Sequence, residues 1–472
     1  MRRSVAMLAL LGGCAVGPKF VPPAPLATEA YLTVPVPPQV VPGEIASDWW
    51  RAFNSPELDR LVTMALAANS DLVVAEATLR QSREQLRAAG AALLPTVDAS
   101  VNSERSKSSQ YLSPVLNQQQ FNFTLQTAQV SISYPLDLFG GTRRAIESTR
   151  AATEGQLYRT ATVRLTLTTN VVLAAVQEAS LRDQLAAAQR TVAADADLLR
   201  LLRLRQALGA VGLADVATQA AALGQAEAAV PPLEKALVHQ QAALSILLGR
   251  EPSLPLPATV ELARLTLPQT APLRLPSELV RQRPDIRAAA AALHGASADL
   301  GVAIAARLPA ITLTAAAGGA SPNFTDLFRN GNPFWQIIGG ITQPLFHGGA
   351  LLHRQRAAQA ALDAAEAQYR STVLGAFVDV SDALTALRTD DATYAATTFA
   401  DAAAQQSLGF IKRQVELGAG DRLTTLIATA QAEQTSLALI QARAARFADR
   451  AALVQALGGP VTDSRIGGSN GS

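Results

Sequence analysis

The sequence contains little cysteine and little lysine. Cys14 is its only cysteine in 472 residues, which excludes an intrachain disulfide and any site built from several thiolates. Of 40 basic side chains only Lys19, Lys107, Lys235 and Lys412 are lysines, and the formal net charge is +2. So small a net charge gives no strong field, so neither nucleic acid nor another polyanion is indicated as a partner.

Motifs for catalysis and metal binding are also missing. The four histidines are scattered, and His347 and His353 stand six residues apart, off the i, i+4 spacing of a helical metal pair. The sequence has no Gly-x-Ser-x-Gly elbow, P-loop or dinucleotide fingerprint. The sequence therefore predicts no enzyme, no metal and no cofactor, with one covalent exception at the N-terminus.

The N-terminus resembles a lipoprotein signal. Arg2 and Arg3 precede a short apolar core that ends in Leu-Gly-Gly-Cys, which resembles the bacterial lipobox. We predict a signal peptide over 1–13, and a diacylglycerol and an acyl chain on Cys14. The alternative is a small buried hydrophobe, but nothing around Cys14 resembles a core element. Ala15 resembles the residue found in lipoproteins sorted to the outer membrane.

Residues 14–43 are rich in proline and valine and are predicted to be an extended tether without a core of its own. Long hydrophobic runs are absent, since the apolar core of the signal is far shorter than the roughly 20 residues that span a bilayer. We predict no transmembrane helix, so any membrane-spanning part would consist of strands.

An internal duplication is the strongest signal in the sequence. Pro95 and Pro309 stand 214 residues apart, in similar surroundings. Further along, the offset is 209 for Pro135 and Pro344, for Gly209 and Gly418, and for Gly249 and Gly458. We predict two repeats, 44–249 and 285–458, joined by a linker over 250–284 and followed by a disordered tail over 459–472.

Each repeat reads as helix, hairpin, helix and helix. Helices are predicted over 71–92, 141–206, 213–248, 285–306, 349–417 and 421–457, with Pro231 and Pro232 interrupting the third. The hydrophobic period changes from about 3.6 to 2 at about 94–135 and 308–345, which predicts two β-hairpins. A helix of some 65 residues is roughly 100 Å long and must lie against other long helices.

The predicted strands alternate apolar and polar residues. Val97, Ala99 and Val101 alternate with polar residues in the first hairpin, as Ile311 and Leu313 do in the second. Such strands fit a transmembrane barrel or a soluble sandwich. Only four strands, each pair clamped between very long helices, favour the barrel.

Four strands cannot close a barrel, for which about eight are needed. Because lipid does not tolerate an open sheet edge, several chains must share one barrel, and three would supply twelve strands. The predicted fold class is therefore a mixed α and β membrane protein, with long helices continuing the barrel as a tube.

The chain resembles the TolC-like outer membrane factors, and most closely the NodT-type efflux lipoproteins. The resemblance rests on "CAVGPKF", "DWWRAFNSPELDRLVTMALAAN", "LLGREP", "LPSELVRQRPDIRAA", "QPLFHGG" and "LGAGDRLTTL", spread over nearly the whole mature chain. It implies a homotrimer in the Gram-negative outer membrane, with a twelve-stranded barrel, a helical periplasmic tunnel, and an equatorial belt formed by 44–68, 230–284 and the C-terminal tail. It also places Pro95, Pro135, Pro309 and Pro344 at strand–helix junctions.

By the same resemblance, the turns at Gly209, Gly212, Gly418 and Gly420 form a periplasmic tip that serves as gate and docking face. Val415, Ile427 and Thr429 depart from the family's tyrosine, aspartate and glutamine, so we expect an unusually apolar constriction. The candidate gate or adaptor-contact residues are Asp215, Arg413, Asp421, Arg422, Leu423 and Ile427. The alternative for the acidic residues is that they are simply solvated.

The function implied is that of a passive duct for drugs or other small toxic compounds in a tripartite pump, with a periplasmic adaptor and an inner-membrane proton-driven pump of the RND type as partners. Two alternatives stay open. One is the outer membrane duct of a type I protein secretion system. The other is a non-conducting structural lipoprotein that spans the periplasm.

Overall fold

The computed structural model describes residues 15–23, 40–107, 122–268, 270–273 and 276–459. The predicted signal peptide, the lipidation site Cys14 and residues 460–472 of the predicted tail lie outside these ranges. The chain divides into two compact units. Of the described residues, the first unit contains those within 15–23, 79–156 and 289–369, and the second contains those within 40–78, 157–288 and 370–459. Each unit thus combines matching parts of both sequence repeats.

Helices dominate the described chain. They are α1 Pro56–Ala68, α2 Ser70–Ala91, α3 Gly141–Ala207, α4 Leu213–Leu247, α5 Pro276–Gln282, α6 Pro284–Ala305, α7 Ala350–Glu416 and α8 Arg422–Ala456. The ends of α2, α3, α4, α6, α7 and α8 fall within a single residue of the ranges expected from the sequence. At 67 residues each, α3 and α7 are about 100 Å long.

The strands form two sheets. They are β1 Val40–Pro42, β2 Thr96–Lys107, β3 Asn122–Leu136, β4 Ala271–Leu273, β5 Ala310–Ser321 and β6 Pro333–Thr342. β1 and β4 form a short parallel pair in the second unit. The other four form an antiparallel sheet in the order β2-β3-β5-β6, so the hairpins of the two repeats are neighbours.

The register of this sheet separates an apolar face from a polar face. Paired residues of neighbouring strands share a face, since side chains alternate along each strand. One row across the sheet reads Val97, Ile132, Ala315 and Ile337. The adjacent row reads Asp98, Ser131, Ala316 and Gln336. The apolar face is exposed in a single chain, with Val97, Ile132 and Ile337 among its exposed side chains.

The apolar pattern of β3 changes face along the strand. Phe123 pairs with Ser106 and Leu125 with Glu104, on the face that carries Asp98. Val130 and Ile132 lie on the opposite, apolar face. Apolar and polar residues therefore alternate in each half of β3, as the sequence predicts. The apolar residues of the two halves lie on opposite faces of the sheet and do not form one continuous apolar stripe.

Pro135 lies inside β3, next to its last residue. Its partner in β5 is Thr312, whereas the pairing of β3 with β2 ends at Ser133 and Thr96. Proline has no N–H to donate to a neighbouring strand. At Pro135, β3 is paired with β5 but no longer with β2, so proline is tolerated at this end of the strand. Pro95, Pro309 and Pro344 lie just outside β2, β5 and β6.

In the second unit the long helices lie in the order α4, α3, α8, α7, as their polar contacts show. Gln219 of α4 donates to Asp195 Oδ1 of α3 at 3.0 Å. Arg190 of α3 pairs with Glu433 of α8 at 2.9 Å. The Arg446 guanidinium of α8 pairs with Asp391 of α7 at 2.6 Å. α4 and α7 are therefore the outer members of this row.

The four long helices share one way of ending. After α3, Gly209 has φ +72 and Ala210 N donates to Arg205 O at 2.9 Å. After α7, Gly418 has φ +73 and Ala419 N donates to Gln414 O at 2.9 Å. Gly249 and Gly458 end α4 and α8 in the same way, with φ +66 and +82. This is the Schellman motif, in which glycine adopts the left-handed conformation at low cost.

The expectation that Pro231 and Pro232 interrupt a helix is wrong, because α4 runs through them. The prolines remove the N–H groups that would bond to the carbonyls of Glu227 and Ala228. All four of these residues are exposed, so water can hydrogen-bond to the carbonyls that are freed.

The expectation that no helix could span a membrane is also wrong by length and composition. Among the described residues α6 is long and apolar enough, and α1 with α2 passes the same test as a pair bent by 43°. The most apolar window of α6 is 44% buried within the protein. Ile286, Leu293 and Leu300 are buried members of this helix, as expected for a core helix.

The first part of the predicted tether is docked rather than free. In the first unit, Val16 N donates to Phe139 O at 3.0 Å, and Arg144 Nε donates to Val16 O at 3.1 Å. The ring of Phe20 stacks on His294, with centroids 4.4 Å apart. This contact has no local signal in the sequence, because the partners of this segment lie more than 100 residues further along the chain.

Candidate gate and docking region at the helix turns

The first turn, between α3 and α4, is capped by Asp215. Its Oδ2 accepts a hydrogen bond from Gly212 N at 3.0 Å. Gly212 is the N-cap residue, and Asp215 is at the third helical position, from which an acidic side chain commonly reaches back. Asp215 therefore satisfies one of the backbone N–H groups left free where α4 begins.

Asp421 caps the second turn and links it to the first. It is the N-cap of α8 and accepts from Leu423 N at 3.3 Å. Its carboxylate also pairs with the guanidinium of Arg205 in the last turn of α3. The side chains of Arg205 and Asp421 are 32% and 41% exposed, so solvent screens this ion pair in the single chain.

Arg205 was not among the residues predicted from the sequence. It lies in the middle of an arginine-rich stretch, and its partner is 216 residues further along the chain. The duplication places Asp421, 209 residues after Gly212, at the same N-cap position of its repeat, but the residue 209 positions after Arg205 is Gln414, so the duplication carries no signal for Arg205.

The remaining predicted residues are divided between solvent and the helix packing. Arg413 pairs with Glu416 at 2.9 Å, and both side chains are exposed. Leu423 is half-buried, whereas Ile427 is 55% exposed. The backbone of Arg422 begins α8, but its side chain lies outside the described part of the chain. The structure therefore pairs Asp421 with Arg205 and Arg413 with Glu416.

Gly420 is required by close packing. A Cβ built on it would lie 2.8 Å from Val415 Cγ2 and from Val415 N. Gly209 and Gly418 have open space around them, and it is their positive φ that favours glycine. Gly212 has φ −82 and no such requirement.

A cavity of about 520 Å³ lies between α3, α4 and α8, a short distance from the turns. Six of its sixteen lining residues are alanines, and Leu198, Ile427 and Leu437 add larger apolar side chains. Asp195, Gln219 and Glu433 contribute polar groups. This region offers helix faces and an ion pair, not a nucleophile with a base. No cluster of histidine, cysteine, aspartate and glutamate within the described residues could hold a metal ion.

The comparisons with known proteins agree with this geometry. The profile of the family described as "Outer membrane efflux protein" matches residues 61–250 and 275–459, one match for each repeat. The "Pyoverdine export outer membrane protein OpmQ" of Pseudomonas putida is 33% identical over 426 residues, which cover 87% of each chain.

Solved structures show the same fold. The outer-membrane channel OprN has a TM-score of 0.84 and 25% identity, covering 94% of this chain and 99% of its own. The open state of the MtrE outer membrane channel of Neisseria gonorrhoeae has a TM-score of 0.81 and 26% identity, with coverages of 94% and 98%. The predicted TolC-like fold and the predicted efflux function are confirmed. This chain belongs to the outer membrane efflux protein family.

Proposed function

We propose that three copies of this chain form a passive duct through which an efflux pump expels small toxic compounds. The observation that carries the proposal is that, among the described residues, the sheet ends in two edge strands with one strand neighbour each and the row of long helices ends in two outer helices. β2 and β6 are the outer strands of the sheet, and α4 and α7 are the outer members of the helix row.

The sheet supports a barrel shared between chains. Each unpaired N–H or C=O group at an edge in lipid costs several kcal/mol, so β2 of one copy must pair with β6 of the next. Three copies of a four-stranded sheet give twelve strands, enough to leave a lumen. The exposed apolar face, which includes Val97, Ile132, Trp335 and Ile337, then faces lipid, and the polar face lines the lumen.

The outer helices support the same assembly. Phe399 and Phe410 on α7 and Val238 on α4 are 78%, 62% and 66% exposed. Large apolar side chains so exposed on the two outer helices of the row are what an interaction surface on each helix would show. Contact between α7 of one copy and α4 of the next would bury them and close the helices into a tube.

We assign the energy source and the cargo by analogy with the relatives. Their names include a pyoverdine export protein and a toluene efflux pump protein. An inner-membrane proton-driven pump of the RND type would select cargo, and a periplasmic adaptor would dock near 200–220 and 410–430.

Deletion of the gene should raise cellular accumulation of a dye in a strain without a paralogue, and unchanged accumulation would contradict the proposal.

Two measurements separate this proposal from its alternatives. A type I secretion duct would leave dye accumulation unchanged on deletion but would abolish export of a protein substrate. A structural spacer would show no conductance in planar bilayers, even when the turns are altered. A duct of three chains should have a protein mass of about three times the mature chain by light scattering in detergent.

The docked N-terminus supports lipidation at Cys14. Ala15 packs against Gly140, at the junction between β3 and α3, since a Cβ on Gly140 would lie 2.6 Å from Ala15 Cα. Lipid on the preceding residue would thus enter the membrane beside the hairpins. Cys14→Ala behind a cleavable signal should remove the lipid, detected by mass spectrometry, while trimers still form. Only soluble monomers would show that the lipid is essential for assembly.

The ion pair between Arg205 and Asp421 is a candidate restraint on the gate. Arg205→Ala frees the last turn of α3 from α8 and should raise single-channel conductance. The thermal midpoint should change little, since a half-exposed ion pair contributes about 0–1 kcal/mol. Arg200→Ala is the matched control, because Arg200 pairs only with Asp197 of the same helix among the ion pairs described. Equal conductance in both variants would contradict a gating role.

A further inference from the structure

We propose a binding site for a small monocarboxylate between residues 44–53 and α8, in the second unit and separate from the helix turns. A cavity of about 200 Å³ lies there, with Trp49, Phe53 and Pro268 on one side and Arg450, Leu453 and Val454 on the other. It is only slightly larger than a cavity of about 150 Å³, which holds benzene in an apolar protein interior.

Two residues that line the cavity each carry a buried hydrogen-bond donor without an acceptor among the described residues. Trp49 Nε1 and Arg450 Nη1 are both inaccessible to solvent and have no hydrogen-bond partner among the described residues. Each of the two residues is only 7% exposed. Buried donors are almost always paired, and a charged donor without a partner is especially costly. Two of them in the wall of one cavity indicate a missing acceptor.

The indole cannot readily turn to another acceptor. Trp49 makes edge contacts with Phe53 and Trp50 at centroid distances of 6.0 and 6.1 Å, and Phe53 in turn contacts Phe447 at 5.6 Å. Phe53 O also accepts a hydrogen bond from Thr266 N at 3.1 Å. The neighbouring Trp50 is satisfied, because its Nε1 donates to Asp59 Oδ1 at 2.9 Å.

Nearby carboxylates do not neutralise Arg450. Burial lowers the pKa of the guanidinium, and the charges of Asp391 and Asp449 offset this only in part. Asp391 is paired with Arg446. Burial and the neighbouring Asp390 raise the pKa of Asp449 to about 7, so its carboxyl is only partly ionised at neutral pH.

The ligand chemistry follows from these walls. An anion with two oxygens can accept from both donors, and a carboxylate on an apolar body also fits the aromatic and aliphatic walls. Glu44 also contributes to the wall but is exposed, so its negative charge would weaken the binding of an anion. The site is independent of conduction, and its occupant would hold residues 44–53 against α8.

The test titrates the purified full-length protein with benzoate and, as an uncharged control, benzamide, by isothermal calorimetry. Benzoate should bind at least about ten times more tightly than benzamide, as expected for a charge-assisted hydrogen bond. Arg450→Gln should weaken benzoate binding by about ten-fold or more, and Trp49→Phe by about two- to ten-fold. Trp50→Phe is the matched control and should leave the affinity unchanged.

Should Arg450→Gln fail to fold, Trp49→Phe carries the test, since it keeps the aromatic ring and removes only the donor. Glu44→Gln should tighten benzoate binding several-fold. No benzoate binding, equal binding of benzamide, or unchanged affinity in Trp49→Phe would overturn the proposal. A further result would also overturn it: Glu44→Gln binds no benzoate and unfolds at as low a temperature as Arg450→Gln. Glu44 would then be the acceptor for the two donors.

Discussion

Single residues in this protein have their roles set by burial. Asp215 and Asp421 stand at helix starts and cap them. Arg205 pairs with Asp421, 216 residues away in sequence, and Arg450 Nη1 has no hydrogen-bond partner among the described residues. We therefore expect the stability of the protein to depend on pH, and its ligand binding to depend on charge, through the charged groups buried between helices and not through the exposed ones.

Asp449 should make the protein less stable as the pH rises. Its folded-state pKa of about 7 exceeds the ordinary value of 3.8, because of burial first and the charge of Asp390 second. Between these values the folded state keeps a proton that the unfolded chain has lost, so stability falls as the pH rises towards 7. The thermal midpoint of Asp449→Asn should exceed that of the unsubstituted protein more at pH 8 than at pH 5.

The exposed Asp363 provides the control for this experiment. Asp363→Asn should shift the midpoint equally at the two pH values. A parallel response of Asp449→Asn would show that Asp449 does not carry the pH dependence.

At the scale of elements, the same helix ending occurs four times, and its glycines are separated by the repeat offset. A glycine with positive φ ends α3, α4, α7 and α8, and a hydrogen bond from the residue after it closes each motif. The lengths of the long helices are thus determined locally, at their ends.

Glycines inside and after α7 should respond with opposite sign to alanine. Gly418 has φ +73, so Gly418→Ala should destabilise the protein by about 1 kcal/mol. Gly409 lies within α7, and a Cβ there meets no atom within 4 Å in the single chain. Gly409→Ala should therefore stabilise it by about 0.5–1 kcal/mol. Thermal unfolding of both variants measures this, and destabilisation by both would mean that the outer face of α7 is covered by another copy.

At the scale of the whole molecule, the faces of the sheet decide which side chains meet lipid. Trp335 and Gln336 are neighbours on β6 and point to opposite faces, paired with Ala317 and Ala316. Trp335 is 76% exposed in the single chain. Substitutions at these two neighbouring positions of one strand therefore test which face of the sheet meets lipid in the shared barrel.

Arginine at these two positions should have unequal effects. On the lipid face, Trp335→Arg should lower the stability of the barrel in the membrane by up to about 2–4 kcal/mol, depending on the depth of the residue in the membrane. The variant should therefore reduce the amount of protein in the outer membrane. Gln336→Arg faces the lumen and should insert normally. Immunoblots of outer membrane fractions give the comparison, and equal loss of both variants would contradict the assignment of faces.

The sequence alone determined the duplication, the helix bounds and the change to strand periodicity, because each depends on patterns within a few residues or on comparison of the chain with itself. Tertiary structure alone decided the neighbour of each helix, the docking of Val16 and Phe20, and the pairing of Arg205 with Asp421. It also enclosed Trp49 and Arg450 around one cavity. These contacts join residues that are tens to hundreds of positions apart, so their partners depend on the packing of whole helices and have no local signature.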